Sequence, residues 1–328
     1  MNRRELIIGL LASCGWAATH GDAQTAAPSP SRVVLISAGN ETGAVPFVDR
    51  FRQGMRELGQ KEGDTFRMEV LYADRDPTRV PGLIRDAVAG RPAVLVVSGL
   101  LAARHARDAT STVPVVVTTS SDLVDAGVVK SFARPGGNIT GLTDLADELA
   151  VKRLELLKET LPKASRVALL VNPDFPATPK IERSVQAAAR TLGIAISRLD
   201  ATDPASLVLA LDSLQKSKPD ALLIGGDGLF VVRAQEIIER TRTLRVPVIH
   251  FWPGTAESGA LMSHQADILY NFQRAAYYVD RILKGAIPGD LPIEQPTRYE
   301  LVVNKKTAKA FDLTIPQSVL LRADRVIE

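Results

Sequence analysis

The chain has 328 residues, 45% of them hydrophobic and 23% charged, with a formal net charge of +3. That length accommodates two domains with separate cores, and the composition excludes a disordered or fibrous chain. Lysines and arginines are interleaved with acids instead of gathering in a basic, aromatic-studded stripe, which argues against nucleic acid as a partner.

The N-terminus reads as an export signal over residues 1–23. Arg3 and Arg4 precede an apolar run from Leu6 to about Ala18, and Gly21, Asp22 and Ala23 form a small-residue cleavage site before Gln24. Cleavage near Ala23 predicts a periplasmic protein. It would also remove the single cysteine, Cys14, and with it any disulfide or thiol chemistry. Leu11, Ala12, Ser13 and Cys14 also fit a lipobox, the alternative in which Cys14 carries a lipid anchor. The paired arginines fit a twin-arginine signal loosely. No later stretch is apolar enough to span a bilayer.

A Pro/Ser/Ala-rich linker, within residues 24–31, leads to a buried-strand pattern at Arg32–Ser37 and a helical period at Val45–Leu58. The same sequence of features then returns. Ser31-Arg32-Val33-Val34-Leu35-Ile36 is echoed by Ser165-Arg166-Val167-Ala168-Leu169-Leu170, which is followed by a helical period at Thr178–Leu192. Ala93–Leu101 is echoed by Ala221–Phe230, Val113–Val116 by Val246–Ile249, and Asp125–Val128 by Glu257–Ala260, at spacings that agree to within a few residues. Amphipathic segments at Val151–Leu161 and Gln235–Leu244 alternate with the strands. The pattern predicts an α/β protein of two doubly wound parallel-sheet lobes. The first would take residues 32–140 and the second 141–261, with 262–328 divided between them. The predicted crossovers lie near Asn138–Asp144 and Gly254–Met262, with a third in Leu301–Ile315.

Open parallel sheets bind ligands beyond the carboxyl ends of their strands. The pattern therefore nominates Ser37 and Asn40 after the first strand, Ser98, Gly99 and Leu100 after the next buried run, Ser120, Ser121 and Asp122 after Val113–Val116, and in the second half Asn172, Phe175, Asp227, Trp252 and Ser263. Serine hydroxyls and free N–H groups at a helix start suit a carboxylate; helix capping is the alternative role for the same serines. Asp227, after a buried strand and two glycines, suits a ligand cation or the cap of a helix starting near Leu229. Phe175 and Trp252 suit stacking on a planar or apolar ligand, or packing within a lobe. His250 and His264 share these loops but lack metal-ligand spacing, and no phosphate loop, nucleophile elbow or dinucleotide fingerprint is present. No cofactor and no metal are expected.

Several stretches resemble the ABC transporter substrate-binding protein family, in the branch of type I periplasmic binding proteins that includes tryptophan- and phenylalanine-type binders. They are Arg3-Arg4-Glu5-Leu6, Phe51-Arg52-Gln53-Gly54-Met55-Arg56-Glu57-Leu58-Gly59, and Ala126 to Gly141, which contains Pro135-Gly136-Gly137-Asn138-Ile139-Thr140-Gly141. Ile282-Leu283-Lys284-Gly285, Asp290-Leu291-Pro292 and Asn304-Lys305-Lys306-Thr307-Ala308-Lys309 complete the set. The resemblance implies a Venus-flytrap capture protein that closes on a small-molecule ligand, such as an amino acid or an aromatic or other carboxylate, and delivers it to an ABC permease. It places Ser98–Ala102, Thr119–Asp122 and Asp227 in the binding loops. Membrane contact would come only through the permease or an anchor at Cys14. The chain departs from its relatives at His264-Gln265, where many have Tyr-Gly, and at Asp227-Gly228, where many amino-acid binders have Asp-Asn. Two other readings compete. A cleft hydrolase or isomerase would use Asp227 with His250 or His264, and a transcriptional regulator would need a helix-turn-helix where this chain has its export signal.

Overall fold

The computed structural model describes residues 29–118, 122–143, 146–252 and 254–328. The expected export signal, its cleavage near Ala23 and the candidate anchor Cys14 lie outside the described residues, as do Ser120 and Ser121. The first half runs β1 (Ser31–Ser37), α1 (Glu41–Glu57), β2 (Phe66–Tyr72), α2 (Val80–Ala89), β3 (Val94–Val97), α3 (Leu100–Ala109), β4 (Val115–Val117) and β5 (Ile139–Gly141). The second runs α4 (Ala146–Thr160), β6 (Arg166–Val171), α5 (Thr178–Leu192), β7 (Ala195–Asp200), α6 (Pro204–Ser217), β8 (Ala221–Ile224), α7 (Gly228–Val232), α8 (Ala234–Thr243), β9 (Val248–His250) and β10 (Met262–Ala266). The chain ends with α9 (Ile268–Leu283), β11 (Tyr299–Asn304), α10 (Lys305–Ala310), α11 (Gln317–Leu320) and β12 (Arg325–Ile327).

Two sheets result, and the doubly wound α/β fold expected from the repeat is the one observed. The first is parallel throughout, in the order β2-β1-β3-β4-β5. The second repeats that order as β7-β6-β8-β9-β10 and is extended past β10 by antiparallel β11 and then β12. The repeat reaches into the turns. Ala126, Gly127 and Val128 donate backbone N–H bonds to the carbonyls of Asp122, Val124 and Leu123, and Ser258, Gly259 and Ala260 donate to those of Gly254, Ala256 and Thr255, the same pattern residue for residue. Gly127 and Gly259, at matching places, take φ of 67° and 117°, a region that favours glycine.

Strand periodicity explains the layers. In β1, Val34 and Ile36 point into one core with Ile84 of α2 and Ala103 of α3, while Val33 and Leu35 point into the opposite core with Phe51 of α1 and Phe272 of α9. In β6, Val167 and Leu169 face Leu154 of α4 and Ile181 of α5, whereas Ala168 and Leu170 face Leu207 of α6 and Ile237 of α8. Both faces of each sheet are therefore apolar and covered, as parallel sheets require.

That cover is exchanged between the halves. α4 follows the last strand of the first sheet yet packs beside α5 on the second, and α9 follows β10 of the second sheet yet packs beside α1 on the first. The crossovers consequently lie between β5 and α4, at Asp267 and at residues 291–298. The first matches expectation. The expected second, Gly254–Met262, instead lies within the second lobe and leads into β10, and the expected third overlaps β11, an antiparallel strand of the same sheet.

The family-like motifs serve this scaffold. In the Pro-Gly-Gly-Asn-Ile-Thr-Gly run, Asn138 donates from Nδ2 to the carbonyls of Val113 at 2.7 Å and Thr110 at 3.1 Å, and Thr140 donates to the Leu291 carbonyl at 2.7 Å, tying β5 to the third crossover. Leu142 bridges to Glu294, whose carboxylate accepts two bonds from Arg274 of α9 at 2.6 and 2.8 Å. Asn304 caps α10 and donates to the Ala256 carbonyl at 2.6 Å. Gly54 sets the spacing between α1 and α9: a Cβ there would lie 2.4 Å from the Gln273 carbonyl oxygen and 2.8 Å from the Ala276 Cβ. Gly54→Ala is therefore expected to cost about 1–3 kcal/mol by forcing the helices apart, seen as a lower Tm; an unchanged Tm would show that the pair parts freely.

Candidate functional site

The carboxyl ends of β1 and β3 in the first sheet face the same cleft as those of β6, β8 and β9 in the second. On the first wall the Ser37 hydroxyl accepts the Gly39 N–H at 3.2 Å, and Asn40 caps α1 by accepting the Gly43 N–H at 3.0 Å. Gly99, at φ 90°, turns the chain from β3 into α3, which begins at buried Leu100 with no side-chain cap. The first N–H groups of α3 are thus unspent, the usual condition of a helix start. Ser98 has no hydrogen-bond partner among the described residues.

On the second wall the adjacent ends of β6 and β8 bring Asn172 and Asp227 together. Asn172 accepts the Asp174 N–H on Oδ1 at 2.9 Å, leaving its amide for the Asp227 carboxyl. Asp227 caps α7 through the Leu229 N–H at 2.8 Å. Burial pushes its carboxyl above the ordinary value, against the pull of the Leu229 N–H, the Asn172 amide and the Gly228 N–H. No cation pairs with it among the described residues. Its cap role and a ligand role are compatible, because a carboxylate has lone pairs to spare.

Phe175 and Trp252 occupy the junction between lobes. Phe175, from the second lobe, packs against both that lobe's core and the core of the first. Trp252, also from the second lobe, packs against the α1–α9 core of the first, its ring 6.2 Å from that of Phe47, which lies 5.2 Å from Phe272. Asp122 is engaged otherwise than as a free ligand group. Its carboxylate accepts the Val124 and Asp125 N–H bonds at 2.9 and 3.0 Å and meets Lys180 of α5 at 3.2 Å, an ion pair that crosses the cleft together with Lys180–Asp125 at 2.6 Å. Ser263 is only 2% exposed, so its hydroxyl lies within the second lobe.

The histidines are withdrawn from the cleft. His250 is fully buried and accepts the Trp252 N–H on Nδ1 at 3.0 Å. Burial, reinforced by the Arg153 charge, lowers its pKa to about 3, and the same two causes lower that of His264 to about 4. Arg153, only 2% exposed, donates to the His264 carbonyl at 3.1 Å. Neither this buried cation nor Asn271, whose amide atoms are buried without partners, was nominated from sequence. Both were visible as polar intruders on apolar helix stripes: Arg153 between Ala150 and Leu154, and Asn271 between Ile268 and Phe272. Among the described residues no group of three or more His, Cys, Asp or Glu side chains could hold a metal ion.

Residues 40–327 match the family described as ABC transporter substrate binding protein. The chain belongs to that family. A tyrosine-binding protein of Clostridioides difficile is 26% identical over 273 residues, spanning 82% of this chain and 78% of the relative. Among solved structures, an ABC domain from Streptococcus pneumonia in complex with L-Trp matches with a TM-score of 0.84 at 23% identity, over 91% of this chain and all of the other. A conserved domain protein from Vibrio cholerae matches with a TM-score of 0.83 at 27% identity, over 90% of this chain and 99% of the other. The substrate-binding function expected from the sequence is the function of this family, and it is not a catalytic one.

Because the folded binding protein refuses protons that an unfolded chain accepts below about pH 6.5, the two histidines contribute stability that is whole above that pH and is lost as pH falls toward 4 and then 3. Acidification from pH 7 to 5 is expected to cost about 2 kcal/mol per histidine. In urea unfolding, His250→Asn, which keeps an acceptor for the Trp252 N–H, should show a shallower loss of stability than the parent over that range. Parallel pH profiles would show that His250 is not held neutral by the fold.

Proposed function

We propose that this chain is the exported solute-binding component of an ABC importer and that its ligand is a small amino acid-like molecule bearing an ammonium group, held between the lobes and passed to a permease without being transformed. Asp227 carries this reading. It is a half-buried carboxylate at a strand end, beside Asn172, with no cation to pair with among the described residues. A ligand ammonium would supply the missing charge in a low-dielectric cleft, where a charge-assisted hydrogen bond is strongest. The uncapped start of α3 at Gly99 and Leu100, with Ser98 beside it, offers donors to a carboxylate. Trp252, Phe175 and Phe47 supply apolar surface for a side chain. The tyrosine-binding relative and the L-Trp complex support an amino acid with an aromatic or apolar side chain.

A cleft enzyme using Asp227 with a histidine fits the geometry poorly. His250 is sealed in the second lobe with Nδ1 already engaged, and His264 lies on β10 against Arg153 and Tyr299. Capture instead requires closure about the crossovers between β5 and α4, at Asp267 and at residues 291–298, a hinge motion of the kind known for two-lobed binders. Export and cleavage near Ala23, with an anchor at Cys14 as the alternative, belong to the same reading.

A thermal-shift screen of residues 24–328 against amino acids and aromatic or aliphatic carboxylates tests it, since a ligand that binds only the folded state at 100 times its Kd adds about 2.7 kcal/mol of stability. Tyrosine, tryptophan and phenylalanine are expected to raise Tm in the parent and to lose at least tenfold in affinity in Asp227→Ala. Carboxylates without an ammonium group, if they bind at all, should be indifferent to that change. Binding unaffected by Asp227→Ala would remove the ammonium role, and turnover of a bound compound would remove the transport reading.

A further inference from the structure

A cavity of about 400 Å³ opens between the lobes at the start of α3 and α5. Leu100 and Arg104 of α3, with Asp122 and Asp125 of the following turn, form one wall; Lys180 and Arg183 of α5 belong to the other. The charges in this lining are unevenly satisfied. Both acids are taken by Lys180, at 3.2 and 2.6 Å. The two guanidinium groups have no such partner: among the described residues neither Arg104 nor Arg183 has an ion pair or a hydrogen bond, and while Arg183 is exposed, Arg104 Nε is shielded from solvent with no acceptor.

Two facts make this arrangement point to a ligand. Guanidinium groups are always charged and present planar sets of donors matched to oxyanions, so a shielded, acceptor-less Nε is costly until an acceptor arrives. The two groups also line one cavity from opposite lobes, so an oxyanion held by both would bridge the cleft.

We infer that Arg104 and Arg183 form an interlobe oxyanion subsite, distinct from the strand-end groups around Asp227, which binds a carboxylate or phosphate group and favours the closed arrangement. The subsite does not depend on the ammonium role of Asp227. The oxyanion has two possible sources, a free anion of the surroundings or an acidic group carried by the captured molecule, and both use the same donors.

Residues 24–328 retain one tryptophan, Trp252, because Trp16 lies in the leader; its position on the first lobe's core makes its emission a reporter of the lobe junction. Inorganic phosphate, sodium acetate and the pair L-glutamate and L-glutamine would be titrated at constant ionic strength set with sodium chloride, with Tm and Trp252 emission as readouts. The parent is expected to respond saturably to at least one of these oxyanions, with affinity reduced at least tenfold in Arg104→Gln and in Arg183→Gln. A response to phosphate or acetate assigns the site to free anions. Binding of glutamate but not glutamine, sensitive to both arginine variants, assigns it to an acidic group of the ligand. A response that chloride reproduces, that survives both arginine variants, or that fails to appear with any probe overturns the subsite; loss of amino-acid binding in Asp227→Ala bears only on the earlier reading. Both arginine variants are expected to keep the parent Tm in chloride alone, because neither guanidinium holds a hydrogen bond or ion pair among the described residues.

Discussion

Everything in this molecule depends on the need of a parallel sheet for cover on both faces. Each half of the repeat makes strands that are apolar on both sides but leaves part of one face to be covered by a helix from the other half: α9 lies on the first sheet beside α1, and α4 on the second beside α5. The close passage of α1 over α9 at Gly54 shows how tightly that exchange is packed. A chain that exchanges helices in this way must cross between its lobes three times, and the crossovers become the hinge. The candidate site is a by-product of the same constraint, since two sheets joined at one side present their strand ends to a shared cleft.

Hinge and cleft are held by different forces. The crossovers are fixed by short hydrogen bonds from partly buried groups, Thr140 to the Leu291 carbonyl and Tyr278 to the Pro292 carbonyl, each at 2.7 Å, and by the Arg274–Glu294 pair. Across the cleft the links are Lys180 with its two acids and the aromatic contacts of Phe175 and Trp252. An exposed ion pair contributes about 0–1 kcal/mol, so polar contact across the cleft is weak beside the packing that holds each lobe. A ligand shifts such an equilibrium only by its preference for the closed state. Asp227, which has no cation beside it among the described residues, and Arg104 with Arg183, which have no acceptor there, are where that preference would arise.

The scaffold was legible because it is written in periods. Alternating strands, amphipathic helices and the echo of Ser31–Ile36 in Ser165–Leu170 all survive as structure, and the match between Asp125–Val128 and Glu257–Ala260 extends to individual hydrogen bonds. The second and third crossovers were misplaced because the exchange of α9 is a long-range contact and β11 runs antiparallel in a sheet whose repeat predicts only parallel strands. The site was less legible for a chemical reason. Asn40, Asp122 and Asp227 are short polar side chains at helix or turn starts, where capping and ligand binding call for the same residue types. The family-like motifs, from Gly54 to Asn138 and Asn304, serve packing and crossover contacts in this chain and therefore do not name the ligand.

The exchange of helices also sets the order in which the lobes can be finished as the chain is made. Residues 31–141 emerge first, but Val33, Leu35, Val94, Val96 and Val116 face a core that includes residues 268–282 of α9, more than a hundred residues downstream. The second sheet receives α4 before its own first strand, so its exchanged helix is at hand when its strands arrive. The half synthesised first thus cannot lock its uncovered face into native packing until α9 has been made, and the second sheet in turn waits for β11 and β12 near the end of the chain. The architecture that builds the hinge therefore also keeps the leading half pliable until α9 is available.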